Sequence, residues 1–354
     1  MGYLARNPIG AGAPRLGHVR GPCRWTRRIA CVHGKAQAHV LMIHSMDLGL
    51  SVATAADSWK VVRRAEALGY TRAWFYDTQM LNADVLVAMG AAAVKTTKIR
   101  LATGVLIPSN RIAPVAANAL ASLNALAPGR IDFGISTGFT ARRSLGLGLV
   151  KLADMKEYIR IVRGLLAGET LEWTFENERR KIRFLNPEIG VIKTDDPIPL
   201  HISAVGPKAR ALTAELDAHW IFTAGNQAAS TAAMEAMSAA RRSAGRDPAR
   251  YISTAQVGGC VLADGETYES PRVQVQAGPH ATIALHNMVE AEQFGNFGRG
   301  LPPILSHSLS STAKYTSSTN RLMHAIFRIT ADILCSCDPR KKRSAHPNSS
   351  APPR

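Results

Sequence analysis

The stretch KIRLATGVLIPSNRIAPVAANALASLNALAPGRIDFGISTG, residues 98–138, decides the fold. It opens on an apolar strand pattern, Lys98 to Leu106, whose residues look buried on both faces. Pro114 suits the first turn of a helix, and Ala127, Pro128 and Gly129 end it. A second apolar strand, Arg130 to Ser136, follows at once. Strand, helix and strand in so short a span argue for neighbouring parallel strands. Outward from this unit the alternation repeats. The sequence predicts further strands at Val40 to Met46, Arg72 to Asp77, Ile198 to Ala204, Trp220 to Ala224 and Ile252 to Ala263. Asp57 or Ser58 can cap a helix through Leu68 on which Trp59, Val62 and Ala65 share a face, with Gly69 as its stop. Another amphipathic helix is expected from Val150 to Ala167. Only the connection from Thr137 to Pro197 is long; it carries Trp173, Phe175 and Phe184 and reads as an insertion after the fourth strand.

A repeated βα unit closes as an eightfold barrel or spreads as an open doubly wound sheet, and both put chemistry at the carboxyl ends of the strands. Those ends read Ser45 and Asp47; Asp77 and Gln79; Thr103, Gly104 and Val105; Ser136, Thr137 and Gly138; Ser203, Ala204 and Gly206; and Thr223, Ala224 and Gly225. Small and hydroxyl-bearing residues let a flat ring or a phosphate approach the backbone. Pro207 fits a first helical turn, so Gly206 becomes a cap with unpaired N–H groups facing the strand end, an anion site to which Lys208 can add charge. Asp77 is the acidic side chain at a strand end with aromatic neighbours Trp74, Phe75 and Tyr76, so it is expected to orient a ring or move a proton.

The chain has 354 residues, 46% hydrophobic and 19% charged, which excludes extensive disorder. No apolar run reaches membrane-spanning length, so a soluble, cytoplasmic protein is expected. The net charge of +17 is concentrated in the ends: residues 1–39 carry +7, residues 305–354 carry +6, and the middle holds only +4. The central part is therefore no polyanion binder, and neither end interleaves aromatics with its charges as a nucleic-acid platform would. The expected organisation is a basic N-terminal extension (1–39), a barrel domain (40–304) and a basic Ser/Thr-rich segment (305–354) with a weakly amphipathic piece from Arg321 to Leu334. Five cysteines without zinc spacing predict neither a disulfide framework nor a metal site.

Gly134, Ile135, Ser136, Thr137 and Gly138 match the G-x-S-x-G elbow of serine hydrolases, with a strand in front as that motif demands. This rival lacks an H-G-G segment, and none of the downstream histidines is singled out as a base. G-x-G-x-x-G after a strand, the Walker loop and H-E-x-x-H are absent from the sequence.

The run Arg72, Ala73, Trp74, Phe75, Tyr76, Asp77, then Thr103, Gly104, Val105, then Ala127, Pro128, Gly129, Arg130 with Gly134 and Gly138, resembles the luciferase-like monooxygenase superfamily. The likeness is greater to the branch similar to F420-dependent methylenetetrahydromethanopterin reductase. Ser203, Ala204, Gly206, Pro207 and Lys208 fit the same pattern, and the likeness covers roughly residues 41–304. It implies a (β/α)8 TIM barrel that binds F420 or FMN at the strand carboxyl ends and carries out hydride transfer or monooxygenation on a small organic substrate. It implies a non-prolyl cis peptide near Thr103, Gly104 and Val105, against which the ring rests. Ser136, Thr137 and Gly138 join those residues around the cofactor; Gly206 with Thr223 to Gly225 holds its phosphate; Asp77 and Gln79 do the catalytic work. A homodimer is implied as well.

Two departures stand out. Where the family has Asp-Gly before its sixth strand, this chain has Asp217, Ala218, His219 and Trp220, whose added side chains are expected to crowd the phosphate turn. Seven strands are one short of eight, so the eighth is unassigned and the family-like text stops after Pro303. An inactive family member, or a protein that binds through its basic ends, therefore stands as a further alternative.

Overall fold

A computed structural model describes residues 47–277. Its sheet has seven parallel strands: β1 Gly49–Val52, β2 Arg72–Phe75, β3 Arg100–Thr103, β4 Ile131–Ile135, β7 Leu200–Ser203, β8 His219–Thr223 and β9 Ser253–Gln256, adjacent in that order. The helices α1 Trp59–Ala67, α2 Val85–Ala93, α3 Ala113–Leu126, α6 Pro207–Glu215 and α7 Gln227–Ser243 alternate with them. This is a half-barrel of the TIM type. The strand at Arg130 to Ser136, the helix opened near Pro114 and the sheet's parallel sense are all as the sequence predicts.

Period two divides each strand between two environments. Ala73 and Phe75 of β2, Leu101 of β3, Phe133 and Ile135 of β4, and Trp220 and Phe222 of β8 are buried with the helices in the main core. Their alternates face the interior, where Trp74, Ala102 and Ile221 form a second, smaller apolar cluster with Val105 against it. Burying a side chain of this size fully is worth about 1.5–3 kcal/mol, so the helix-facing set holds most of the stability.

The first strand departs from expectation. Val40 to Met46 lies outside the described residues, as do Ser45, the Arg321 to Leu334 piece and both basic ends; β1 is Gly49–Val52, so Asp47 stands before a strand and not at its carboxyl end. Strict alternation hid it: Leu50 packs toward the core, while Gly49 lies under Trp74, where a Cβ would stand 3.0 Å from the indole Nε1. The last strand is also shorter than Ile252 to Ala263.

The long connection after β4 contains α4 Phe139–Arg143, α5 Leu152–Leu166 and an antiparallel hairpin, β5 Leu171–Phe175 with β6 Glu178–Ile182. Trp173 and Phe175 stack at 4.8 Å between centroids, which is why this segment is no plain loop. Among the described residues no helix is long and apolar enough to cross a membrane.

Candidate functional site

The carboxyl end of β3 is built on close backbone approach. Gly104 and Val105 are joined by a cis peptide bond, at the place the family resemblance implies. A Cβ at Gly104 would stand 2.7 Å from Trp74 Cβ, and one at Gly134 would stand 2.1 Å from Thr103 O, so both glycines are required sterically. Thr103 is fully buried; its hydroxyl donates to Gly134 O at 2.7 Å and accepts from Gly134 N at 2.9 Å. That bridge continues the β3–β4 ladder past the bulge, and Leu106 N then donates to Gly134 O. Val105, half-buried, meets the interior cluster of Trp74, Ala102 and Ile221.

Ser136 follows β4, and its hydroxyl donates to Ser203 O at 3.1 Å, binding the ends of β4 and β7 together. This removes the hydrolase alternative: the hydroxyl faces a carbonyl in place of a base, and Ser136 lacks the left-handed backbone of a strained elbow. Thr137 O accepts from Val150 N, and Gly138, at φ 84°, caps α4.

Next along the sheet stand two helix N-termini side by side. Gly206 is the N-cap of α6 with Pro207 in its first turn, and no side chain caps it, as the sequence predicts. A Cβ at Gly206 would meet nothing within 4 Å, so the approach is open, with Lys208 exposed beside it. Ala204 is buried, and its carbonyl accepts from the indole of Trp220 at 2.8 Å. One strand over, Thr223 and Gly225 are exposed and Asn226 caps α7 by accepting from Ala229 N.

On the opposite side, at the end of β2, side chains take over from backbone. Asp77 is buried and accepts from Ile107 N at 3.1 Å and from Arg111 Nη1, 3.1 Å from each carboxylate oxygen. Arg111 Nη2 reaches on to Asp84, which caps α2 through Leu86 N and Val87 N. Burial works against the Arg111 charge, but Asp77 and Asp84 outweigh it and hold the guanidinium protonated more firmly than usual. Burial likewise opposes ionisation of Asp84, and the Val87 N–H with Arg111 pulls its carboxyl below the ordinary range. Gln79 donates to Ala141 O and accepts from Asn110 Nδ2 at 2.8 Å, tying the β2, β3 and β4 loops together. These residues border a cleft of about 410 Å³. Across the interior, Gln256 of β9 donates to the Tyr76 hydroxyl at 3.4 Å.

At the amino ends of the strands the interior holds a charged floor that sequence reasoning missed. Asp132, fully buried, accepts from Arg72 Nε at 2.8 Å and from Arg100 Nε and Nη2 at 2.9 and 2.8 Å. Burial opposes its ionisation, but the two guanidiniums hold the carboxyl far below its usual range. His201 stands 3.6 Å from Asp132, its edge against Trp74, with neither ring nitrogen hydrogen-bonded among the described residues. Burial pushes it below its ordinary value. His219, 4.7 Å away between ring centroids, is pushed down to about 4 by burial and by His201. His219 therefore points into the floor at the end of β8 remote from Thr223, so it does not crowd the phosphate turn as expected. The signals were present: an aspartate inside Ile131–Ile135 and a histidine inside Leu200–Ser203 interrupt strands that are otherwise apolar.

The sequence pattern of luciferase-like monooxygenases matches residues 38–296. The chain belongs to the luciferase-like monooxygenase family. It is 34% identical over 145 residues to an F420-dependent glucose-6-phosphate dehydrogenase of Beutenbergia cavernae, covering 39% of this chain and 41% of that protein. It is 31% identical over 186 residues to the 5,10-methylenetetrahydromethanopterin reductase of Methanolobus tindarius, covering 52% and 55%. The chain thus spans about half, or less, of the length of these curated relatives. Among solved structures, the coenzyme F420-dependent tetrahydromethanopterin reductase of Methanopyrus kandleri superposes with TM-score 0.54 at 19% identity, over 71% of this chain and 81% of that one. The oxygenating constituent of 3,6-diketocamphane monooxygenase of Pseudomonas putida, in complex with FMN, superposes with TM-score 0.57 at 17% identity, over 71% and 77%. These two likenesses bear on the fold of this luciferase-like member: a barrel of the family's type, with the bulge, the open α6 terminus and the Asp77 cleft all on its carboxyl face.

Proposed function

We propose that this chain is a flavin-type oxidoreductase that binds F420 or FMN on the carboxyl face and acts on a small organic substrate. The observation that carries the reading is the open N-terminus of α6 beside that of α7, across the interior from the Gly104–Val105 bulge. Fit favours a phosphate there: exposed Gly206 leaves the first-turn N–H groups of α6 accessible, the helix dipole adds positive potential, and Lys208 adds a cation. F420 is preferred over FMN because the relatives at 31–34% identity carry F420 or methanopterin chemistry in their names.

When bound, the ring supplies the hydride chemistry. The protein's part is to orient and enclose. Val105 and the interior cluster beneath it offer an apolar seat for a flat ring. Thr103 and Ser136 hold the bulge and the β4 end in place through Gly134 and Ser203, so their roles are structural support with Thr137 and Gly138 in the adjoining turn. Ser203, Ala204, Gly206, Pro207 and Lys208 form the anion loop, with Thr223 and Gly225 as its second wall. Asp77 and Gln79, whose oxygens are taken by Arg111, Ile107 and Asn110, act here as positioning residues for the cleft wall. The Tyr76 hydroxyl, which among the described residues accepts only from Gln256 across the mouth, is the group placed to hold a proton or a substrate oxygen.

Titration of the purified protein with F420 and, separately, FMN, read by the fluorescence of each, tests this reading. Saturable binding of one of them supports it; binding of neither overturns it.

A further inference from the structure

The cleft at the ends of β2 and β3 can be read for the charge of what it admits, an inference that names the substrate class of the proposed oxidoreductase and rests on that reading. Among the described residues that line it, Arg111 is the only cation. Its side chain is 14% exposed, one arm is held by both oxygens of Asp77, and the other is held by Asp84. Two carboxylates on one guanidinium leave the lining with a net negative charge. The other polar groups, Gln79, Asn82, Ser109 and Asn110, are uncharged donors and acceptors.

We propose that this cleft takes an uncharged polar molecule bearing hydroxyl or carbonyl groups and rejects phosphorylated or carboxylated ones, with Asp84 as the residue that sets the choice. An arginine recognises phosphate through a free fork of N–H donors. Here both arms are already occupied, and an entering anion meets carboxylate oxygens of its own sign. Such a repulsive element is how a site discriminates against an alternative ligand. Asp84 is the removable half of the arrangement, because its side chain is 48% exposed whereas that of Asp77 is 4% exposed.

The test compares glucose with glucose 6-phosphate, together with a panel of uncharged polyols and ketones, by ligand-observed NMR on the full chain with and without F420. Leu145→Trp, which narrows the cleft, assigns the signal to it. Asp84→Asn keeps the side-chain oxygen that caps α2 but frees one arm of Arg111 from its charged partner. The wild type is expected to contact uncharged probes, in a Leu145→Trp-sensitive way, and to favour glucose over its phosphate at least tenfold. Asp84→Asn is expected to shift that ratio at least tenfold toward the phosphate. Contact with no uncharged probe, wild-type preference for the phosphate, or an unchanged ratio in Asp84→Asn each overturns the proposal. Probe contact is read without cofactor too, so failure to bind F420 alone would count against the cofactor reading and leave the cleft's selectivity measured.

Discussion

The two sides of the barrel mouth are built from different materials. At β7 and β8 the candidate site is backbone: an uncapped helix end at Gly206, exposed glycines, and, among the described residues, nothing within 4 Å of where a Cβ at Gly206 would stand. At β2 and β3 it is side chain, with Asp77, Arg111, Asp84, Gln79 and Asn110 locked together and a carbonyl pressed against Gly134. The difference teaches that one side can lose function without losing stability, while the other cannot.

The strongest way to break this contrast is Gly134→Ala. Its Cβ would fall 2.1 Å from Thr103 O, so β3 and β4 must separate. The expected loss exceeds ~4 kcal/mol in chemical denaturation, or soluble protein is not obtained. Normal stability would show that the β3 end is not held by close approach.

Next in size is Arg111→Ala, which strands the buried Asp77 carboxylate with Ile107 N as its remaining partner. Removing one member of a buried pair costs about 3–5 kcal/mol, and urea unfolding should show a loss near the lower figure because Arg111 keeps some exposure.

Gly206→Asp sharpens the comparison from the other side. The backbone there, at φ −83°, accepts any residue, and aspartate is a better N-cap than glycine, so stability should rise by a few tenths of a kcal/mol. Its charge would occupy the proposed anion site, and affinity for a phosphate-bearing cofactor should fall about 100-fold, or ~2.7 kcal/mol, in a fluorescence titration. A parallel loss of stability would erase the distinction between the two sides.

The smallest effect belongs to the barrel floor, shared by both. A histidine whose folded value is depressed binds its proton more readily when unfolded, so stability is full above about pH 6.5 and falls as pH drops toward 4. With His219 only partly buried, a decline on the order of 1–2 kcal/mol is expected across that window in urea midpoints, and His219→Gln should flatten it.

What the sequence made legible follows the same division. The α6 cap at Gly206 and Pro207 and the βα alternation are local, carried by short runs of consecutive residues, and each stands where the sequence puts it; the β3 bulge stands where the family resemblance implies it. The strand Gly49–Val52 was not anticipated because Gly49 and Ser51 face the interior, so no apolar run marks it. Arg111 was invisible because its partners Asp77 and Asp84 lie 34 and 27 residues away and are joined to it only by folding. Asp132, Arg72, Arg100 and His201 meet for the same reason, across four strands. The expectation that His219 would crowd the phosphate turn failed because a residue entering a parallel strand lies at the end away from the site.

The central claim is that the backbone side of the mouth grips a cofactor phosphate. Thermal unfolding of wild type and Gly206→Asp with F420 at about 100 times its Kd tests it most directly, since binding at that excess adds about 2.7 kcal/mol to the folded state. With both proteins at the same F420 concentration, about 100 times the wild-type Kd, the expected result is a rise of several degrees in Tm for the wild type and of about one degree for Gly206→Asp, whose stabilisation there is only about 0.4 kcal/mol. Equal rises in both proteins, or no rise in the wild type, would contradict it.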